Sequence, residues 1–165
     1  MCGEAPEFRP NPRIMIVMTL PEILRVACEI RRNVEPYFWP EGSEQGVSDS
    51  TPSSGYCAAV SVLTHARLGG DFVSAIVDSG SHWFNRIETI DGTIDIDLTA
   101  DQFGRDPIAV DAAGQLYEGT RVRADRELNI ETLQRALILA RRADMHDVAA
   151  HLQRILDQKA VAIAS

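Results

Sequence analysis

Residues 55–70 read GYCAAVSVLTHARLGG, and this stretch decides the fold. From Tyr56 to Leu68 it is apolar on nearly every side of a helix, the pattern of a buried rather than a surface helix. The pair Gly69-Gly70 supplies its C-terminal stop. Working outward, Asp71–Val77 reads as a strand leaving that helix. His82–Ile90 and Thr93–Thr99 flank Asp91-Gly92, the favoured dipeptide of a type I′ hairpin turn. Ile94, Ile96 and Leu98 alternate with Asp95, Asp97 and Thr99, so one face of that strand is core and the other polar.

Upstream, Thr19-Leu20-Pro21-Glu22 carries the elements of a capping box with a first-turn proline. Leu20, Ile23, Leu24, Ala27, Cys28 and Ile30 follow at helical spacing, and Cys28 is expected to be a small buried apolar residue on that face. The Pro-, Gly- and Ser-rich stretch Asn33–Gly55 is a long loop, expected to be packed at Tyr37-Phe38-Trp39 and mobile further on. Residues 104–128 read as loops with at most one short strand. Asn129–Arg142 and His146–Lys159 are amphipathic helices. The expectation is an α+β chain: a flexible arm over residues 1–18, one domain over 19–142, and a helical extension over 143–165.

The 165 residues carry 16 Lys and Arg against 24 Asp and Glu, a formal charge of −8. That acidity excludes the basic stripe of a nucleic-acid binder and disfavours an anionic membrane surface. No apolar run approaches the ~20 residues that span a bilayer, and Ile14–Leu20 is too short for a secretory signal. Cys2, Cys28 and Cys57 form neither a disulfide framework nor a C-x-x-C clamp, which fits a cytoplasmic protein.

Cys57 is the residue with chemical promise. It lies in the first turn of the central helix, where the helix dipole favours thiolate, directly after Gly55 and Tyr56. His82 follows at the start of the hairpin, then Asp95, Asp97 and Asp101, the chain order nucleophile, base, orienter. With Asp91-Gly92 as the whole turn, His82 faces Asp101 and Arg86 faces Asp97. All three aspartates share a sheet face with His82, so register leaves open which one orients it. Asn85 is a candidate hydrogen-bonding support, Trp83 a core residue, and Phe103 an anchor at the strand end. Asp95-Ile96-Asp97 is better explained by strand alternation than by a metal, and His65, His146 and His151 by packing or surface exposure.

Gly55-x-Cys57-Ala58, Leu68-Gly69-Gly70, Gly80-Ser81-His82-x-Phe84-Asn85, Ile94-Asp95-Ile96-Asp97-Leu98-Thr99-x-Asp101-Gln102-Phe103 and Glu131-Thr132-Leu133-x-Arg135 together resemble the YunG-like family of small bacterial proteins. The likeness spans roughly residues 20–142. It implies a papain-like or transglutaminase-like fold, with a central helix on an antiparallel sheet and additional terminal helices. It further implies Cys57 as nucleophile, His82 as base and, from the Asp-x-Thr pattern, Asp97 as orienter. The expected activity is that of a cysteine hydrolase or acyl transferase acting on an amide, acyl or peptide substrate, with no cofactor and no metal. Tyr56 stands where related sequences carry a glutamine that donates to the oxyanion. That departure supports an alternative, a catalytically weakened fold that binds a peptide or protein. A third reading is a structural domain in which Cys57 and His82 merely pack.

Overall fold

The structure, a computed structural model, describes residues 17–38, 53 and 55–165. Helix α1 spans Leu20–Val34 and opens with a complete capping box. The Thr19 hydroxyl accepts the Glu22 N–H at 3.4 Å, and the Glu22 carboxylate accepts the Thr19 N–H at 2.7 Å. Ile23, Ala27 and Ile30 form its buried seam. Cys28 does not join them and is exposed, correcting the expectation, because one residue beyond Ala27 is a turn of about 100° around the helix.

Helix α2, Cys57–Leu68, is buried over the whole run Ala59–His65. Its polar members are accommodated locally. The Ser61 and Thr64 hydroxyls donate to the carbonyls of Ala58 and Val60 at 2.8 and 2.9 Å. His65 is buried with its ring against Phe72 at 4.5 Å. Gly69 ends the helix as expected, at φ +71°, and Gly70 follows at φ +80°. A side chain at Gly70 would put Cβ 2.2 Å from the Arg86 carbonyl oxygen, so only glycine fits there.

Five strands follow: β1 Asp71–Val77, β2 Gly80–Thr89, β3 Gly92–Asp97, β4 Ala109–Ala112 and β5 Arg121–Arg123. They form one antiparallel sheet in the order β4-β3-β2-β1-β5. Two short strands thus occupy the stretch read as loop with at most one. Helices α3, Ile130–Arg142, and α4, His146–Ala164, complete the α+β architecture. All four helices share the main core with Phe72, Ile87 and Ile96 of the sheet. A smaller cluster of Val73, Ala75, Phe84, Leu116 and Tyr117 covers other sheet residues.

The turns differ from the sequence expectation. The two-residue turn with both φ values positive is Asp78-Ser79, at +48° and +68°, between β1 and β2. Between β2 and β3, Thr89 pairs with Gly92, so the loop is Ile90-Asp91 rather than Asp91-Gly92. That one-residue displacement moves the register by two: Arg86 faces Asp95, not Asp97, and bonds it at 2.7 and 3.0 Å. Each side chain keeps its face, and Asp97 moves one pair closer to His82.

Residues 1–16 of the expected arm, and residues 39–52 and 54 of the long loop, lie outside the described residues. Among the described residues no helix is long and apolar enough to cross a membrane.

Candidate active site

Cys57 is the first residue of α2 and half-buried. His82 is the third residue of β2 and Asp97 the last of β3, with 2% and 1% of their surfaces exposed. His82 Nε2 lies 2.6 Å from Asp97 Oδ2. The pairing of β2 with β3 runs no further than Asn85 and Ile96, after which the chain leaves β3 for Leu98, Thr99 and a 3-10 turn at Ala100–Phe103. The start of α2 meets β2 near this opening. Cys57 lies near enough to the His82 ring and to the backbone N–H groups of Trp83 and Ala58 for all three to favour its thiolate. With Nε2 committed to Asp97, Nδ1 is the ring nitrogen left for sulfur.

The electrostatics follow from these contacts. Burial works against ionisation of Cys57, but the His82 bond, its charge and the two amides outweigh it, so the thiol titrates below its ordinary value. Burial also works against a charged His82. The bonds and negative charges of Asp97 and Cys57 overcome it and raise its pKa to about 9. Both shifts act in the direction of a thiolate–imidazolium pair.

Asp97 is enclosed by donors. Its Oδ1 accepts the Thr99 N–H at 2.8 Å and the Thr99 hydroxyl at 3.0 Å, and its Oδ2 accepts the Tyr117 hydroxyl at 2.6 Å. Burial and the Asp97 charge push the Tyr117 pKa up, which keeps its proton in place for donation. Tyr117 and Phe103 meet the His82 ring edge-on at 5.3 and 4.7 Å. Sequence reasoning missed Tyr117. It sits between two short strands in a stretch without periodicity, and no local pattern points to it.

The other candidates have different partners. Asp95 is fully buried against Arg86 and accepts the Gly114 N–H at 2.8 Å. Asp101 faces α1, where Arg31 binds it at 2.8 and 2.9 Å. Of the three aspartates, Asp97 is the one hydrogen-bonded to His82. Asn85 supports the site at one remove: its Nδ2 donates to the Ser61 carbonyl at 3.0 Å and ties β2 to α2. Gly55, at φ +81°, offers its carbonyl to Arg135 Nη1 at 2.8 Å. The Tyr56 ring packs against Phe38 in a tilted arrangement at 4.9 Å, with the Arg135 guanidinium 5.8 Å from its centre. Trp83 is partly buried on the main core, with Arg123 over its ring at 5.3 Å. His146 is exposed and His151 half-buried. Among the described residues no three His, Cys, Asp or Glu side chains are grouped to hold a metal ion.

No curated protein and no solved structure matches the chain. A protein family does, the one described as YunG protein, over residues 29–143. Cys57, His82, Asp97 and Tyr117 all fall inside that span, which covers well over half of the sequence, and the chain therefore belongs to the YunG family.

Proposed function

We propose that the chain is a cysteine hydrolase or acyl transferase, with Cys57, His82 and Asp97 as its triad in a papain-like or transglutaminase-like arrangement. The observation that carries the reading is His82, bonded to Asp97 at 2.6 Å and close enough to Cys57 for each to shift the other's ionisation. The thiolate attacks the carbonyl carbon of an amide, thioester or ester, and the carbonyl electron pair moves onto oxygen. Collapse of that adduct re-forms the carbonyl and expels the leaving group, which takes its proton from the His82 imidazolium. The resulting thioester on Cys57 is attacked by water or another nucleophile, whose proton passes to His82. The acyl product departs and the ion pair is restored. No cofactor enters this sequence. Cysteines without a pairing framework support a reducing compartment such as the cytoplasm.

A second reading, a binding module for a peptide or protein, is favoured by one observation. Tyr56 occupies the expected oxyanion-donor position, and its ring is engaged in the tilted contact with Phe38.

Iodoacetamide labelling against pH, read by mass spectrometry, tests the first reading. Cys57 is expected to react with a midpoint well below the ~8.5 of a free thiol, and His82→Ala to return it there. Exposed Cys28 serves as the reference in the same sample. Equal labelling profiles for the two cysteines overturn the ion pair. Acylation of Cys57 by an activated ester, with release of the acid, separates an enzyme from a binding module.

A further inference from the structure

We infer that Arg31 is a positioning residue for the Cys57–His82 pair, acting from α1 through Asp101 and Ser53; this rests on the catalytic reading of that pair. Arg31 lies in the last turn of α1, yet only 4% of its surface is exposed. Its Nη1 donates to the Leu98 carbonyl at 2.8 Å and to Asp101 Oδ1 at 2.9 Å, and its Nη2 donates to Asp101 Oδ2 at 2.8 Å. Its Nε reaches Glu35 at 3.3 Å, and the guanidinium stands 5.1 Å from the centre of the Phe38 ring. Asp101 in turn accepts the hydroxyl of fully buried Ser53. The Ser53 carbonyl accepts the Tyr56 N–H at 3.0 Å, forming the turn that enters α2 at Cys57.

One buried fork thus holds both halves of the site. Leu98 directly follows Asp97, so the bond to its carbonyl fixes the exit of the strand that carries the acid. Asp101 and Ser53 fix the entry turn of the helix that carries the nucleophile. A bidentate guanidinium with a third acceptor imposes direction as well as charge, and lysine supplies only a point charge. The same contacts give Asp101 a purpose the sequence did not disclose: it holds the nucleophile's turn instead of orienting the base. Asn85 and the shared core already tie α2 to the sheet, and the fork adds a direct tie between the entry turn of α2 and the β3 exit, the two places from which sulfur and the acid are set. A small displacement there moves His82 and the Trp83 amide away from sulfur, and these are among the groups that favour thiolate.

The test is the pH profile of Cys57 alkylation in the full chain for Ser53→Ala, Asp101→Asn and Arg31→Lys. Each variant is expected to raise the midpoint by about half a pH unit or more, an about three-fold loss of thiolate at pH values below it. Leu152→Ala is the control for lost stability alone and should leave the midpoint in place. Ser53→Ala removes only a hydroxyl, so it decides the matter if the charged variants fail to fold. A low midpoint in the unsubstituted chain that Ser53→Ala leaves unmoved overturns the role of Arg31 while the triad reading stands. An ordinary thiol midpoint in the unsubstituted chain overturns both.

Discussion

Enclosing a carboxylate is costly unless donors replace the water it loses, and Asp97 has four of them: His82, Tyr117 and two from Thr99. Tyr117→Phe removes one donor to a charged acceptor without opening a cavity. It is expected to cost about 1.5–3 kcal/mol, read as a lowered urea midpoint at unchanged slope. The Thr99 bonds were a local matter, since an aspartate accepting from the residue two places on is a turn motif. The Tyr117 bond was not, because it joins residues 20 apart whose meeting depends on the whole sheet. Titration of the ion pair gives a second prediction. His82 rises from 6.5 to about 9, so alone its stabilisation is complete below 6.5 and lost as pH rises through about 9. Cys57 is lowered from 9.0, so alone its contribution is present above that value and lost as pH falls through its folded pKa. Above both 6.5 and the folded pKa of Cys57, and below about 9, the folded pair and the unfolded chain bind the same number of protons, and stability stays flat. Cys57→Ser removes the share of the His82 shift that the thiolate supplies and leaves the share from Asp97 uncompensated. Its melting temperature should therefore fall as pH rises across that window, while that of the parent chain does not.

Elements meet in this fold at a few positions where backbone touches backbone. The C-terminus of α2 turns into β1 over Gly70, whose absent side chain leaves room for the Arg86 carbonyl. Gly70→Ala combines a left-handed backbone with a 2.2 Å contact, and a cost of about 3 kcal/mol or more is expected. Gly104→Ala is the matched comparison: φ is +73° but nothing lies within 4 Å, so the cost is about 1–2 kcal/mol. Equal losses in chemical denaturation would show that backbone conformation, not the close approach, makes glycine necessary at position 70. The legibility of elements followed the same division. The capping box of α1, the buried run of α2 and its Gly-Gly stop are local signals, and each formed where its residues indicate. Register is set by interactions across strands. Asp91-Gly92 reads as the tighter turn, yet the Arg86–Asp95 pair and the alignment of Ile87 with Ile94 accompany a loop one residue earlier. Cys28 failed for a related reason, since helical spacing names a face but the neighbours decide how wide the buried stripe is.

At the scale of the molecule, the site lies at one end of α2 and an ion pair with α4 at the other, with the core between them. Cys57 opens the helix, whereas Arg67, one residue before its last, pairs with Asp147 at the start of α4 at 2.8 Å. From there α4 contributes Val148, Ala149 and fully buried Leu152 to the main core. The helical extension therefore helps to close the same core that α1, α2 and the sheet build. Leu152→Ala removes buried methyl groups and leaves a cavity, a change expected to cost about 2–5 kcal/mol and to lower both the melting temperature and the urea midpoint. The contacts that set the Cys57 ionisation come from His82, Trp83 and Ala58, and none of these is on α4. In conditions where the variant remains folded, its Cys57 alkylation profile should overlay that of the parent chain. A midpoint that rises in step with the loss of stability would mean the ion pair depends on the packing of the whole helical layer. The pairing of Cys57 with His82 would then be a property of global rigidity, and the local ties from Arg31, Asp101 and Ser53 would be insufficient to hold it.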